Sequence, residues 1–258
     1  MGIEVNFEGK IAMVTGASGG LGARFAKVLA MGGAQVVLAA RRTELLKELR
    51  AEIEAEGGAA HVVKLDVTDY ASIKAAVAHA ETEAGPIDIL VNNSGVSHTG
   101  RLQDVTPEEF SYVMNTNLQG AFFVAQEVAK RMIARSKGDP RLQHRIINIA
   151  SVAGLRVLPQ IGAYCISKAG VVHMTKAMAV EWGRFGINVN AICPGYIETG
   201  INREHLASEA GKKLIEMLPR KRVGQPEDLD GLLLLLAADE SHFINGAIIN
   251  ADDGILVQ

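Results

Sequence analysis

The sequence is poor in cysteine, has no long apolar run and carries no strong excess of either charge. Its two cysteines, Cys165 and Cys193, form no CxxC pattern, and the seven histidines include no HExxH and no close pair. A metal site is therefore not expected, and both thiols read as reduced packing residues of a cytoplasmic protein. No apolar stretch reaches the ~18 residues of a membrane helix. The greasiest, Leu232–Ala238, is short and follows polar residues, as a buried amphipathic helix would. Met1–Lys10 contains Glu4 and Glu8 and no apolar signal core, which argues against secretion. Lys plus Arg number 26 against 29 Asp plus Glu, a formal charge of −3. Bulk charge thus offers nothing to a nucleic acid or an anionic membrane. There is no Pro/Gly/Ser linker, repeat or low-complexity tract, so residues 1–258 read as one domain with ample material for a core.

Short β-branched runs alternate with longer helical segments. The strand candidates are Ile11–Thr15, Gln35–Ala39, His61–Leu65, Ile89–Asn92, Arg145–Ala150, Asn188–Ile192 and Ala247–Asn250. Helical patterns lie near residues 21–32, 43–56, 69–84, 107–135, 161–184 and 226–237. Most strands are continuously apolar, as expected when helices cover both faces. The alternation implies right-handed βαβ units and an α/β, doubly wound Rossmann fold with a seven-stranded parallel sheet. Two segments break the rhythm. Lys137–His144 holds a Gly-Asp-Pro turn signal, and Tyr196–Met217, partly helical in pattern, lies where a lid over a ligand belongs. From Arg131 to Arg145 five Arg/Lys stand against one Asp, which reads as a solvated helix end and loop ahead of an anion-docking patch.

The first strand runs into Gly16-Ala-Ser-Gly-Gly-Leu-Gly22 and then a helix. This succession suits a dinucleotide. Gly16 permits the tight turn, Gly20 lets backbone approach the pyrophosphate, and Gly22 lets helix pack on strand, with the helix N-terminus facing the anion. The outer glycines are spaced more widely than in GxGxxG, and an incidental glycine-rich connection is the competing reading. At the end of the second strand, the slot where an acid would bind the ribose 2′-hydroxyl of NAD holds Ala40, followed by Arg41 and Arg42. A guanidinium fork suits the 2′-phosphate of NADP(H), so NADP(H) is favoured and NAD(H) is the alternative. Alternatively, both arginines decorate a solvated helix start.

Ser151 follows a strand at the carboxyl edge of the sheet, and Tyr164-Cys-Ile-Ser-Lys168 opens a helix. Tyr and Lys at i and i+4 share a helical face. A phenol is a poor base at neutral pH, and a nearby ammonium lowers its pKa. Alone, such a pair is more often a solvated surface pair.

Thr15-Gly-Ala-Ser-Gly-Gly-Leu-Gly22, Asn92-Asn-Ser-Gly95, Asn117, Ser151, Tyr164-x-x-x-Lys168 and Pro194-Gly195 occur together and in order. Over roughly Lys10 to Gly254 the chain resembles the short-chain dehydrogenase/reductase family, and within it the 3-oxoacyl thioester reductases. The resemblance implies that Tyr164 exchanges a proton with substrate, that Ser151 stabilises the substrate oxygen, and that Lys168 holds the nicotinamide ribose and tunes Tyr164. It implies that Asn117 interrupts its helix and positions a water in a proton relay. It further implies cofactor contacts from Gly16, Ser18, Gly20, Leu21, Gly22, Arg41 and Arg42. Others would come from Asp66 and Val67 at the adenine, from Asn92 near the adenosine ribose, and from Asn93, Ser94 and Gly95. At the nicotinamide side stand Pro194, Gly195, Ile197 and Thr199. Asp66 as a strand-end turn residue, and Asn92-Asn93 as stabilisers of the central strand, stay open as structural readings. Ala251-Asp-Asp-Gly254 departs from the family's Val-Asp-Gly-Gly and loses one glycine's freedom.

Substrate choice is expected from His98 and its neighbours, Val152–Gln160 and the segment from Tyr196 onward. Val152, Leu155, Val157, Leu158 and Ile161 suggest an apolar lining, hence a 3-oxoacyl or other lipophilic ketone, although core or subunit packing would use the same residues. An NAD(H)-linked dehydrogenase of a sugar or steroid alcohol is the alternative, and a non-catalytic NADP(H)-binding redox sensor is another. The resemblance also implies a homotetramer or dimer.

Overall fold

The computed structural model describes residues 5–258 apart from Pro140 and Ile201. The strands are β1 (Ile11–Thr15), β2 (Gln35–Ala40), β3 (Ala59–Lys64), β4 (Ile89–Asn92), β5 (His144–Ile149), β6 (Ile187–Pro194) and β7 (Ile248–Ala251). They form one seven-stranded sheet in the order β3-β2-β1-β4-β5-β6-β7. Every pairing is parallel. The helices are α1 (Gly20–Met31), α2 (Thr43–Ala55), α3 (Tyr70–Glu83), α4 (Pro107–Met114), α5 (Ala121–Gly138), α6 (Gly162–Trp182), α7 (Arg203–Ala207), α8 (Glu209–Met217) and α9 (Asp230–Ala237).

The pleat explains the continuous apolar runs. β1 sends Ile11 and Met13 into a core shared with α3, α5 and α6, and Ala12 and Val14 into a second core shared with α1, α2 and α9. Helix starts follow local chemistry. Asp69 caps α3 by accepting from Ala71, and Thr106 with Glu109 forms a capping box ahead of Pro107 in α4. α1 differs: its N-cap is Gly19, no side chain caps it, and its first turn holds no acid. Its amide groups are left for something else.

Three expectations shift. β3 starts two residues before the expected His61, because Ala59 and Ala60 pair with Gln35 and Val36 despite their weak strand propensity. The helix expected over 107–135 is split by a π-helical turn at Asn115–Gly120. That expected over 226–237 opens as a 3₁₀ turn, Pro226–Leu229, before α9. The partly helical segment after β6 is α7 and α8.

The basic stretch 131–145 is only partly the solvated segment expected: Lys137 and Arg141 are exposed, and the other three cations are drawn inward. Arg131 pairs with Glu81 at 3.1 Å and Glu127 at 3.2 Å, and Arg135 with Asp88 at 3.3 Å. Arg141 pairs with Asp139 at 2.9 Å. Arg145 is buried and donates at 3.2 Å to the carbonyls of Ala238 and Asp239, just beyond α9. Local acids and carbonyls take up most of the charge. The Pro140 of the expected turn lies outside the described residues.

Candidate active site

Six strands deliver chain to the same carboxyl edge of the sheet. The glycine turn follows β1, Arg41 and Arg42 follow β2, Asp66 follows β3, Asn93–Gly95 follow β4, Ser151 follows β5 and Gly195–Thr199 follow β6. Gly16 and Gly20 adopt φ of +66° and +56°, a region glycine enters without a steric cost. A Cβ at Gly22 would stand 2.4 Å from Gly16 O and 2.6 Å from Asn93 Nδ2, so the start of α1 lies directly on the turn. Thr15 holds the neighbouring loop: its Oγ1 accepts from the amides of Asn93 at 2.9 Å and Ser94 at 3.0 Å. A Cβ at Gly20 would meet Thr199 at 3.6 Å, which brings the turn against the segment after β6.

This cradle fits a dinucleotide pyrophosphate. An uncapped twelve-residue helix free of acid in its first turn presents its N-terminus to a glycine-rich turn. Arg42 donates to Ser18 Oγ through Nε at 3.2 Å and Nη2 at 3.0 Å, placing a cation beside that turn. Arg41 is exposed and makes no ion pair with the described residues. Asp66 accepts from Thr68 N at 3.0 Å and Oγ1 at 2.7 Å, and these bonds hold its carboxyl below the usual range. Val67 packs under the π turn, where a Cβ at Gly120 would meet its carbonyl at 2.7 Å.

Asn92 does not reach the edge. It is buried, and its Nδ2 donates to Ala121 O at 2.7 Å and Asn148 Oδ1 at 3.3 Å, so its neighbour Asn93 alone faces the turn. Ile197 is likewise buried among the α9 leucines, leaving only its backbone for a ligand. Pro194 ends β6 in the core, and Thr199 N is held by Asn202 Oδ1 at 2.8 Å.

Around Ser151 the second cluster closes. Ser151 starts a 3₁₀ turn by accepting from Ala153 N at 3.1 Å, and Gly154 of that turn is pressed onto α6, 2.7 Å from Lys168 O if it bore a Cβ. Tyr164 hydrogen-bonds Ser151. Lys168 is buried, its Nζ donates to Ile149 O at 2.7 Å, and it lies 5.7 Å from the centre of the Tyr164 ring. Asn117 Oδ1 accepts from Val96 N at 2.7 Å, while Nδ2 donates to Val96 O at 2.8 Å and Ser167 Oγ at 3.0 Å. The π turn thereby ties the loop after β4 to α6. A Cβ at Gly95 would sit 3.5 Å from Asn117 Oδ1 and 3.6 Å from Lys168 Nζ.

Burial governs the electrostatics here. It raises the Tyr164 phenol above its ordinary value, with the Ser151 hydrogen bond acting the other way. It lowers the Lys168 ammonium to about 8 and raises the Cys193 thiol to about 11. The expected lowering of Tyr164 by Lys168 is thus not found: the ammonium is tethered to Ile149 O, and desolvation of the phenolate outweighs it.

Two residues of the apolar lining expected after Ser151 lie elsewhere. Val152 is buried in the core, and Val157 is 76% exposed, facing solvent. Leu158 is instead tied to the start of α6, its N donating to Cys165 Sγ at 3.4 Å. Opposite, Gly100 N donates to Gln160 O at 2.8 Å, and His98 Nε2 lies 3.5 Å from Glu109 Oε2. A cavity of about 290 Å³ lies behind Tyr196, walled by the ion-paired Arg222, Asp228 and Asp253. Thr15, Ser167 and Asn202 support the site without having stood out in sequence; only the Thr15 hydroxyl before the glycine turn offered a signal.

Residues 16–256 match the family described as Enoyl-(Acyl carrier protein) reductase. Gluconate 5-dehydrogenase of Gluconobacter oxydans is 39% identical over 253 residues, covering 98% of this chain and 96% of that protein. The 3-oxoacyl-[acyl-carrier-protein] reductase FabG of Thermotoga maritima is 36% identical over 253 residues, 98% of this chain and 100% of that one. The crystal structure of a gluconate 5-dehydrogenase from Burkholderia cenocepacia, in complex with NADP and tartrate, superposes with a TM-score of 0.92 at 36% identity, covering 99% and 98% of the two chains. The chain belongs to the short-chain dehydrogenase/reductase family and is an oxidoreductase of that family. Among its described residues, no helix is long and apolar enough to cross a membrane.

Proposed function

We propose that the protein is an NADP(H)-dependent oxidoreductase that interconverts a secondary alcohol and a ketone on a sugar-derived, polyhydroxylated substrate. The observation that carries this reading is the meeting, at one sheet edge, of an uncapped helix N-terminus over a glycine turn with the Ser151–Tyr164–Lys168–Asn117 cluster. When bound, the nicotinamide supplies or accepts the hydride. Gly16, Ser18, Gly20, Leu21 and Gly22 seat the pyrophosphate, and Arg41 and Arg42 take the 2′-phosphate. Asp66 and Val67 border the adenine, Asn93, Ser94 and Gly95 line the middle of the cofactor, and Pro194, Gly195, Ile197 and Thr199 offer mainly backbone to the carboxamide.

Tyr164 gives its proton to the substrate oxygen in reduction and recovers it in oxidation. Ser151 steadies that oxygen by hydrogen bonding. A phenol held protonated by burial is ready for the reductive direction. Lys168 keeps positive charge beside Tyr164, and Asn117 holds the loop and helix that frame both. Helices α7 and α8 form a lid.

The substrate class is read from a polar rim at the carboxyl edge of the sheet. His98, Arg156 and Tyr196 lie on the segments that follow β4, β5 and β6 at this edge, while Val152 turns into the core and Val157 out to solvent. The relatives acting on gluconate fit such a rim. A 3-oxoacyl thioester is the second reading, favoured by the Thermotoga relative and by the exposed Leu102 and Leu155. Exposed Tyr112, Phe122, Ile166 and Val180 on α4, α5 and α6 suit packing into a homodimer or tetramer.

The test is turnover by purified protein with NADP⁺ or NADPH, NAD(H) run alongside, on polyols, aldonates, sugar ketones and 3-oxobutanoyl thioesters. The expected result is turnover of a sugar-derived substrate that Tyr164→Phe cuts about 10²- to 10⁴-fold with NADPH binding retained. A Tyr164→Phe variant within tenfold of the parent would remove the catalytic assignment. Tight NADPH binding with no turnover at all would favour the sensor.

A further inference from the structure

We infer that Arg156 is a specificity-determining residue that grips a carboxylate on the substrate, making the preferred substrate a sugar acid; this rests on the sugar-derived reading above. Arg156 lies on the loop that runs from Ser151 to Tyr164, and that loop is fixed at both ends. Its own amide donates to Val152 O at 2.8 Å, and Leu158 is tied to Cys165, the residue after Tyr164. The guanidinium is anchored by one bond, Nη1 to Ile255 O at 3.1 Å. A guanidinium has five N–H donors in a planar fork, and one anchor leaves a full edge for a bidentate partner.

No acid among the described residues takes that edge. Arg156 forms no ion pair among the described residues, whereas the other arginines around the lid and C-terminus do. Arg203 pairs with Glu198 at 3.0 Å, and Arg220 and Arg222 pair with Asp253 at 3.0 and 2.8 Å. The acids nearest in sequence to its anchor are committed as well: Asp252 accepts from Gly254 N at 3.1 Å and Leu256 N at 2.9 Å. Arg156 is therefore an exposed cation without an acid partner among the described residues, and its charge acts on the phenol of Tyr196.

A cofactor phosphate does not account for it. The 2′-phosphate arginines follow β2 and the Arg156 loop follows β5, with β1 and β4 between. Three strand spacings separate the two loops by about 14 Å. The anion that suits Arg156 is one at the part of the edge where the loop runs from Ser151 to Tyr164.

The experiment compares the NADP⁺-loaded protein with Arg156→Gln and Arg156→Lys in two arms. In the binding arm, tartrate and threitol, which share a carbon skeleton and differ in carboxylates, are read by the shift in melting temperature. In the kinetic arm, the ratio of kcat/KM for gluconate to that for sorbitol is measured. Tartrate should stabilise the parent more than threitol does, and Arg156→Gln should erase the difference. The gluconate-to-sorbitol ratio should fall about 10- to 100-fold in Arg156→Gln, through KM, and partly recover in Arg156→Lys, which keeps charge but loses the fork. Equal stabilisation of the parent by tartrate and threitol, or an unchanged ratio in Arg156→Gln, would overturn the assignment. If only a 3-oxobutanoyl thioester is turned over, the sugar reading falls, and the tartrate arm still decides Arg156.

Discussion

Acid should unfold this protein through His144, and the size of the effect follows from where that ring sits. His144 opens β5 with no exposed surface, and burial together with the charges of Arg135, Lys10 and Arg145 lowers its pKa from 6.5 to about 4. Nδ1 lies 3.3 Å from Arg135 Nη2, and Nε2 has no partner among the described residues. Asp88 is 3.9 Å away, but Arg135 already engages it. In the unfolded chain the imidazole takes up a proton near 6.5, and in the folded chain only near 4. The unfolded state therefore binds more protons between those values, and stability, complete above pH 6.5, drains away as pH falls to 4. The gap corresponds to about 3 kcal/mol at 1.36 kcal/mol per tenfold in proton affinity. The assay is urea unfolding at a fixed protein concentration from pH 7 to pH 4, followed by fluorescence of the single tryptophan, Trp182. His144→Leu has nothing to titrate, while the carboxylates contribute equally to both proteins. Across this range the parent should lose about 3 kcal/mol more than the variant. Parallel pH dependences, within about 1 kcal/mol, would refute the reasoning.

Two further outcomes are expected. Gly22→Ala places a methyl 2.4 Å from a backbone carbonyl of the glycine turn. That oxygen cannot swing away as a side chain would, so a fluorescence titration should give an NADPH Kd at least about tenfold weaker, in line with overpacking of 1–3 kcal/mol. Asp253 stands at φ +55° where the family carries glycine, held by Arg220 and Arg222. Asp253→Ala keeps the strained backbone and loses both partners, so it should melt below Asp253→Gly, which relieves the strain. Equal melting temperatures would show that the backbone at this position is not strained.

Much of this was legible because parallel strands buried on both faces leave continuous apolar runs, and all seven strands emerge at or near the expected residues. The glycine turn and the Ser151, Tyr164 and Lys168 cluster were legible for a related reason: they depend on local spacing. What escaped depends on contacts far apart in sequence. Nothing in Asn92-Asn93 says which amide turns inward; the pleat of β4 and the carbonyl of Ala121 decide it. Nothing in the basic run 131–145 reveals that Glu81, Asp88 and the end of α9 await its cations. The Tyr164 phenol was misjudged because charge was weighed without burial. Arg156 looked ordinary because sequence does not show which arginines find an acid.

The π turn between α4 and α5 has a meaning for how this chain can change. A helix winds at about 3.6 residues per turn, so a π turn is in effect one surplus residue that offsets everything after it by about 100°. The surplus rotates Asn117 inward to reach both Val96 and Ser167. Loss of a single residue anywhere within 115–120 would let the two helices fuse into one regular rod, more comfortable as a helix, with its face turned away from α6. Point substitutions can drift along this stretch, but its length cannot.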